Sequence, residues 1–289
     1  MGYLVLEEKI GRRITAVGEV VEEVKRAQQA NYDEMQHDRI LHWLTPIDQS
    51  ELQNKLQSER LAGAGQWFLD LHMFQAWAQA KGHALCCTGP PGAGKTHLVS
   101  LVIHHIQALE SEAKRPLVLY IYCNYREQDT HHLKDFMALL LKQFIMAERS
   151  VPTQLEKLFA RFKRLNTQPT WDELYDILEG LIAAHERYFI IVDGLDECRG
   201  DEVRDHLLRV LEKCRAWSGA NLLLTSRYVR SIVHHFEGHG YWQVDVKASP
   251  EDMVRFLDDR IPQVSPVLRR NLALHQEVRT AIIPVADGS

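Results

Sequence analysis

The chain has 289 residues, 45% of them apolar and 25% charged, with a net charge of −5. That length suits one large domain or a domain with appendages, and the mixed charge gives no general attraction to nucleic acid or an anionic membrane. No apolar run approaches a membrane span, and Met1-Gly-Tyr-Leu-Val-Leu6 has neither a signal-peptide core nor the Ser or Thr that a myristoylation signal needs where Leu6 stands. Cys86, Cys87, Cys123, Cys198 and Cys214 make an odd set without paired C-x-x-C spacing, which argues against a disulfide framework or structural zinc and for a reducing, cytoplasmic setting. Cys86, Cys87 and Cys123 sit in apolar, strand-like runs and read as small buried hydrophobes. Fifteen histidines include the pairs 104–105, 131–132 and 234–235, but sequence neighbours point in different directions and make no metal site by themselves.

In chain order, residues 1–40 have a helical pattern. Ile10, Ile14, Val17, Val21 and Val24 are spaced as a short heptad seam, which suits packing on a partner or on the chain's own domain. Thr45-Pro46 predicts a new helix with Thr45 as N-cap. Gly63-Ala-Gly65 breaks the pattern, and Phe74, Trp77 and Ala78 predict a short helix before the first strand, Ala84–Thr88. A helix follows from His97 to Ile106, then a strand over Leu117–Tyr122 and a helix from Leu133 to about Ala147. The polar span 148–170 reads as partly loop, and Thr170-Trp-Asp-Glu173 is a capping box that opens a helix to about His185. Tyr188–Val192 is a third apolar strand and Val203–Trp217 a helix. Asn221–Thr225 and Tyr241–Val246 read as a fourth and a fifth strand, and Ser249 caps a helix to about Arg260. Fully apolar strands alternating with helices predict an α/β fold with a parallel sheet covered on both faces.

The most informative stretch is Gly89-Pro90-Pro91-Gly92-Ala93-Gly94-Lys95-Thr96, which fits G-x-x-x-x-G-K-[ST] between a strand and a helix. Gly89, Gly92 and Gly94 are expected to take positive φ, so that successive N–H groups face one cavity at a helix N-terminus, where an anion is stabilised. This is a P-loop, and residues 89–97, including His97, are expected to bind a nucleoside triphosphate. Lys95 would reach the β- and γ-phosphates, and Thr96 would hold Mg²⁺. Asp193, at the end of the third strand, is the second Mg²⁺ residue. Asp196 and Glu197 could orient or deprotonate water, or else serve as N-cap and first-turn carboxylates. Arg227, ending Leu223-Leu-Thr-Ser-Arg227, could sense a γ-phosphate or be a surface arginine.

With these motifs placed, the chain resembles the NACHT ATPases of the STAND class of P-loop NTPases, above all fungal NACHT proteins with a nephrocystin-3-like N-terminal domain. The resemblance is carried by His42-Trp-Leu-Thr-Pro-Ile-Asp48, Gly63-Ala-Gly-Gln-Trp-Phe-Leu69, the P-loop, Tyr122-Cys-Asn-Tyr125, Asp193-Gly-Leu-Asp-Glu-Cys198 and Leu223–Arg227. It implies a three-layer fold with strand order 5-1-4-3-2, the Arg227 strand lying between the P-loop and Asp193 strands. It also implies ATP or ADP with Mg²⁺, slow hydrolysis, and a signalling switch related to NOD-like receptors of non-self recognition and cell death. The organisation expected is an N-terminal helical segment (1–44), a NACHT-like NTPase domain (45–248) and the start of a truncated helical domain (249–289). Family members continue into a winged helix that donates a histidine to ADP, and no residue here is assigned that role. Expected partners are the nucleotide, a protein docking on the N-terminal helix, and a second copy of the chain if it oligomerises; nucleic acid and a membrane span are not expected. A non-catalytic, nucleotide-bound interaction protein is the alternative. A GTPase is disfavoured because N-K-x-D is missing downstream, and a small-molecule kinase because no acceptor-binding lid is evident.

Overall fold

The runs Ala84–Thr88, Leu117–Tyr122, Tyr188–Asp193 and Asn221–Ser226 form strands buried along their whole length, which is why none shows a polar–apolar alternation. The computed structural model describes residues 21–29, 31, 34–109, 115–124, 132–165, 167–183, 185–198, 200–247, 249–264 and 272–287. Strands β1 (Ala84–Thr88), β2 (Leu117–Tyr122), β3 (Tyr188–Asp193), β4 (Asn221–Ser226) and β5 (Trp242–Asp245) form one sheet in the order β2-β3-β4-β1-β5. Every pairing is parallel. Read from the other edge, this is 5-1-4-3-2, with β4 between β1 and β3.

The helices are α1 (34–44), α2 (Ser50–Ser58), α3 (Gln66–Leu69), α4 (His72–Gln79), α5 (Lys95–Gln107), α6 (Leu133–Glu148), α7 (Thr153–Leu165) and α8 (Trp171–Ile182). They continue as α9 (Gly200–Ser218), α10 (Arg230–Gly238), α11 (Pro250–Val264) and α12 (Leu272–Asp287). Period-2 side-chain direction divides them into two layers. Leu85, Cys87, Val118, Tyr120, Phe189, Ile191 and Leu223 face a core shared with α2–α5. Cys86, Leu119, Ile121, Ile190, Val192, Leu222 and Leu224 face the opposite core, with α1 and α6–α10. Trp77 of α4 is wholly enclosed, and its indole N–H donates to the Leu222 carbonyl at 2.9 Å, which fixes the helix beneath β4.

β2 is an edge strand, and its exposed hydrogen-bonding side is closed by two glutamines. Gln143 of α6 accepts from the Tyr120 N–H and donates to its carbonyl, both at 2.8 Å. Gln49 does the same for Tyr122, again at 2.8 Å in each direction. A primary amide has one donor edge and one acceptor edge, so each glutamine imitates a residue of a neighbouring strand and protects the edge from further pairing. Gln53, one turn along α2, accepts from the Tyr122 hydroxyl and donates to the Ser100 carbonyl, and Gln57 meets His104 a turn later. This i, i+4, i+8 stripe fastens α2 across β2 and α5.

The sequence placed the strands and the capping box well: Thr170 accepts from the Glu173 N–H, and Glu173 returns a bond to the Thr170 N–H at 2.9 Å. Three helical expectations change. Thr45 does not start a helix. It follows α1, its N–H bonds to the Leu41 carbonyl, and Asp48 instead accepts from the Ser50 N–H that opens α2. The span taken as partly loop contains α7, which buries Leu155, Leu158 and Phe162 on a single stripe within a highly charged segment. The helix α10 was not anticipated, and it buries only Ile232 and Phe236. Of the N-terminal seam, Val21 and Val24 are 45% and 49% exposed, while Ile10, Ile14 and Val17 lie outside the described residues.

Gln49→Leu should leave the Tyr122 N–H and carbonyl buried without partners and cost about 2–4 kcal/mol. Urea unfolding checks this, and Ser50→Ala, at the exposed start of the same helix, should cost under about 1 kcal/mol.

Candidate functional site

The C-terminal ends of β1, β3 and β4 converge on one edge of the sheet. There the chain leaves β1 through residues 89–94 and enters α5 at Lys95. Gly92 and Gly94 have φ of 79° and 85°, and a Cβ built on either meets no atom within 4 Å. Glycine is therefore required at these positions for conformation, and the space over the loop is open. Gly89 differs from the expectation because it is not among the positive-φ glycines. It must be glycine because a Cβ there would lie 2.2 Å from the Val246 carbonyl oxygen. Gly89 thus serves the packing of β1 against the segment after β5. Pro91 and His97 are exposed, while Ala93 packs on the α2–α5 core.

Lys95 Nζ donates to the carbonyls of Gly89 at 2.7 Å and Pro90 at 2.8 Å. Burial pushes the Lys95 pKa down, opposed by the nearby charges of Asp196 and Asp193. An ammonium held on its own loop's carbonyls lies over an open cradle at the start of a 13-residue helix, an arrangement suited to a polyanion.

Asp193 is the buried hub. One carboxylate oxygen accepts from Thr96 Oγ1 at 2.7 Å and the other from Thr225 Oγ1 at 2.5 Å. Thr225 Oγ1 in turn accepts from the Gly194 N–H at 2.9 Å. Burial raises the Asp193 pKa, and the bonds from Thr225 and Thr96 oppose that shift. A carboxylate beside a P-loop hydroxyl fits Mg²⁺, which takes few protein ligands and completes its shell with water and phosphate. Thr225 escaped the sequence reading. Its signal is its register: it is the penultimate residue of the strand that separates the P-loop strand from the Asp193 strand.

Beyond β3, Gly194 (φ 70°) turns the chain into a single 3₁₀ turn, Leu195–Glu197. Arg227 lies over this turn. Its Nε is 3.1 Å from Asp196, its terminal nitrogen 3.1 Å from Glu197, and its backbone N–H donates to Asp196 at 2.9 Å. The Asp196 carboxylate is almost enclosed, whereas the Arg227 side chain is 46% exposed. All four sequence-chosen polar groups beyond the loop (Asp193, Asp196, Glu197 and Arg227) therefore stand at the sheet edge that carries the P-loop.

A parallel five-stranded sheet with this loop between the interior strand β1 and a helix is the fold of a P-loop NTPase. The model of the family described as "Nephrocystin 3, N-terminal" matches residues 63–227, more than half of the chain, and the protein belongs to that family. Similar solved structures include Cdc6p from Pyrobaculum aerophilum (13% identity, 70% of this chain and 49% of that one, TM-score 0.45). Others are the ADP form of ORC2 from Aeropyrum pernix (14%, 69% and 50%, 0.45) and AMPPCP-bound DnaA from Aquifex aeolicus (10%, 72% and 54%, 0.37). The chain spans about half the length of each. No curated protein matches it in sequence.

Because burial raises its pKa, ionised Asp193 costs stability: folding favours the protonated form, and that contribution is lost as pH rises through the raised pKa. Asp193→Asn should therefore raise the Tm of the nucleotide-free chain at pH 7 by roughly 2–4 °C and flatten this part of its pH–stability profile, as read by differential scanning calorimetry.

Proposed function

We propose that this chain is an ATP-binding, slowly ATP-hydrolysing switch module of the NACHT type. The observation that carries this reading is the pairing of Arg227 with both Asp196 and Glu197 beside the P-loop. A surface arginine has no need of two carboxylates from one turn. A sensor does, because the pair stores the guanidinium close to where a γ-phosphate would compete for it.

The roles follow from position. The backbone N–H groups of residues 92–96 and the α5 N-terminus hold the phosphates, and Lys95 exchanges its loop carbonyls for phosphate oxygens. Thr96 and Asp193 would hold Mg²⁺, which would supply positive charge to offset that of the phosphates. Thr225 keeps the Asp193 carboxylate aimed at Thr96. Arg227, drawn to the γ-phosphate, releases Glu197 or Asp196 to orient water. Adenine specificity, the signalling role and the kinship with NOD-like receptors rest on the resemblance. The exposed Val21 and Val24 support a docking role for the N-terminal helix.

Lys95→Ala should weaken Mg·ATP binding at least 100-fold by isothermal titration, and unchanged affinity would sink the assignment. Glu197→Gln or Asp196→Asn should lower turnover more than tenfold while ATP stays bound. If both variants hydrolyse at the wild-type rate, neither carboxylate orients the water, whereas a wild-type chain that binds ATP without hydrolysing it is better read as a nucleotide-bound interaction protein.

A further inference from the structure

Two of the motifs that mark this site contain a cysteine with no part in nucleotide chemistry. Cys123 follows β2, and Cys198 follows the 3₁₀ turn that carries Asp196 and Glu197. Their sulfurs are 3.1 Å apart, within S–H···S hydrogen-bonding distance. Both are free, buried thiols, 6% and 7% exposed against none for Cys86 and Cys87 in β1, and the contact with Cys198 together with burial pushes the Cys123 thiol pKa up.

We propose that Cys123 and Cys198 form an oxidant-sensitive dithiol site whose disulfide clamps the Asp193–Glu197 segment to the end of β2. The backbone already brings the pair together. The Cys123 N–H donates to the Asp193 carbonyl at 2.9 Å, and the Cys198 N–H closes the 3₁₀ turn on Leu195 at 3.4 Å. A Cβ on Gly194 would lie 3.0 Å from the Cys123 carbonyl oxygen, so the two segments are in close contact. A disulfide needs the sulfurs to approach by about 1 Å, a movement that side-chain rotation supplies.

The oxidant is of the peroxide class. One thiol is oxidised by two electrons to a sulfenic acid as hydrogen peroxide is reduced and one water leaves. The second sulfur then attacks the first, its proton leaves with the displaced hydroxide as a second water, and the S–S bond forms. The new bond closes a long loop between two sheet strands. Its entropic effect is therefore large, and it holds Glu197, one residue from Cys198, at a fixed distance from β2.

The test is to treat the full chain with hydrogen peroxide and map its peptides without reduction. The expected result is one cross-linked Cys123–Cys198 peptide, with titratable thiols in denaturant falling from five to three and returning to five with dithiothreitol. The oxidised chain should melt on the order of 5–10 °C higher than the same chain reduced. Cys123→Ser and Cys198→Ser should each abolish the cross-link. A second arm rests on the proposed ATPase: oxidation should slow turnover at least fivefold, reversibly, with ATP affinity kept within twofold. Five thiols surviving peroxide, or cross-links to other cysteines, would overturn the site. A mapped disulfide that leaves turnover unchanged would overturn its link to the carboxylate turn. Failure to bind any nucleotide would count against the ATPase reading alone, because the thiol count and peptide map decide the dithiol without it.

Discussion

The Asp193 carboxylate, held between Thr96 and Thr225, is the constraint on which the rest of the site depends. One hydroxyl comes from the helix after the P-loop and the other from the strand between β1 and β3, so a single buried acid fixes three elements in register. Removing such a group from water costs several kcal/mol unless it is well hydrogen-bonded. Two hydroxyl donors supply part of that compensation, and the raised pKa of Asp193 shows that they do not supply all of it. Under the proposed function, a divalent cation would offset that residual cost.

Around this hub the cations are paired with groups of the chain itself. Lys95 rests on carbonyls of its own loop, and Arg227 rests on two carboxylates. Neither cation needs to be brought from a distance, and neither is left without a counterpart before a ligand arrives. The exposed guanidinium and the nearly enclosed Asp196 are unequal partners: solvent reaches the arginine and hardly reaches the aspartate. A switch built this way would reside in the arginine.

The scaffold achieves its rigidity with amides as well as apolar packing. At the β2 edge, Gln49 and Gln143 satisfy the backbone of Tyr122 and Tyr120 as a sixth strand would. The same strand leads into Cys123 and so meets the carboxylate turn. The edge fastening and the site are thus two ends of one element, and a covalent clamp at Cys123 would act on a strand that is already fixed.

Much of this was legible in the residues themselves. Strands β1 to β4, the P-loop and the Thr170 capping box are local patterns: enclosed strands need unbroken apolar runs, a left-handed turn needs glycine at 92 and 94, and a capping box joins residues three apart; β5, at the sheet edge, shows instead the alternation of a half-exposed strand. Asp193 was legible for the same reason, as the first acid after such a run. What the sequence could not give were relations between distant segments. Gly89 is glycine because of the Val246 carbonyl, more than 150 residues away, and its φ is ordinary. The helix α10 carries so few apolar positions that only the core receiving it reveals the buried pair, whereas α7 has a helical stripe, Leu155, Leu158, Phe159 and Phe162, set within a polar, charged span that reads as loop. Thr225, the two edge glutamines and the Cys123–Cys198 pair are unremarkable residue types at unremarkable local spacings. Their roles arise because β4 lies between β1 and β3 and β2 lies at the edge, and strand order is set by the packing of the whole chain rather than by any one stretch of it.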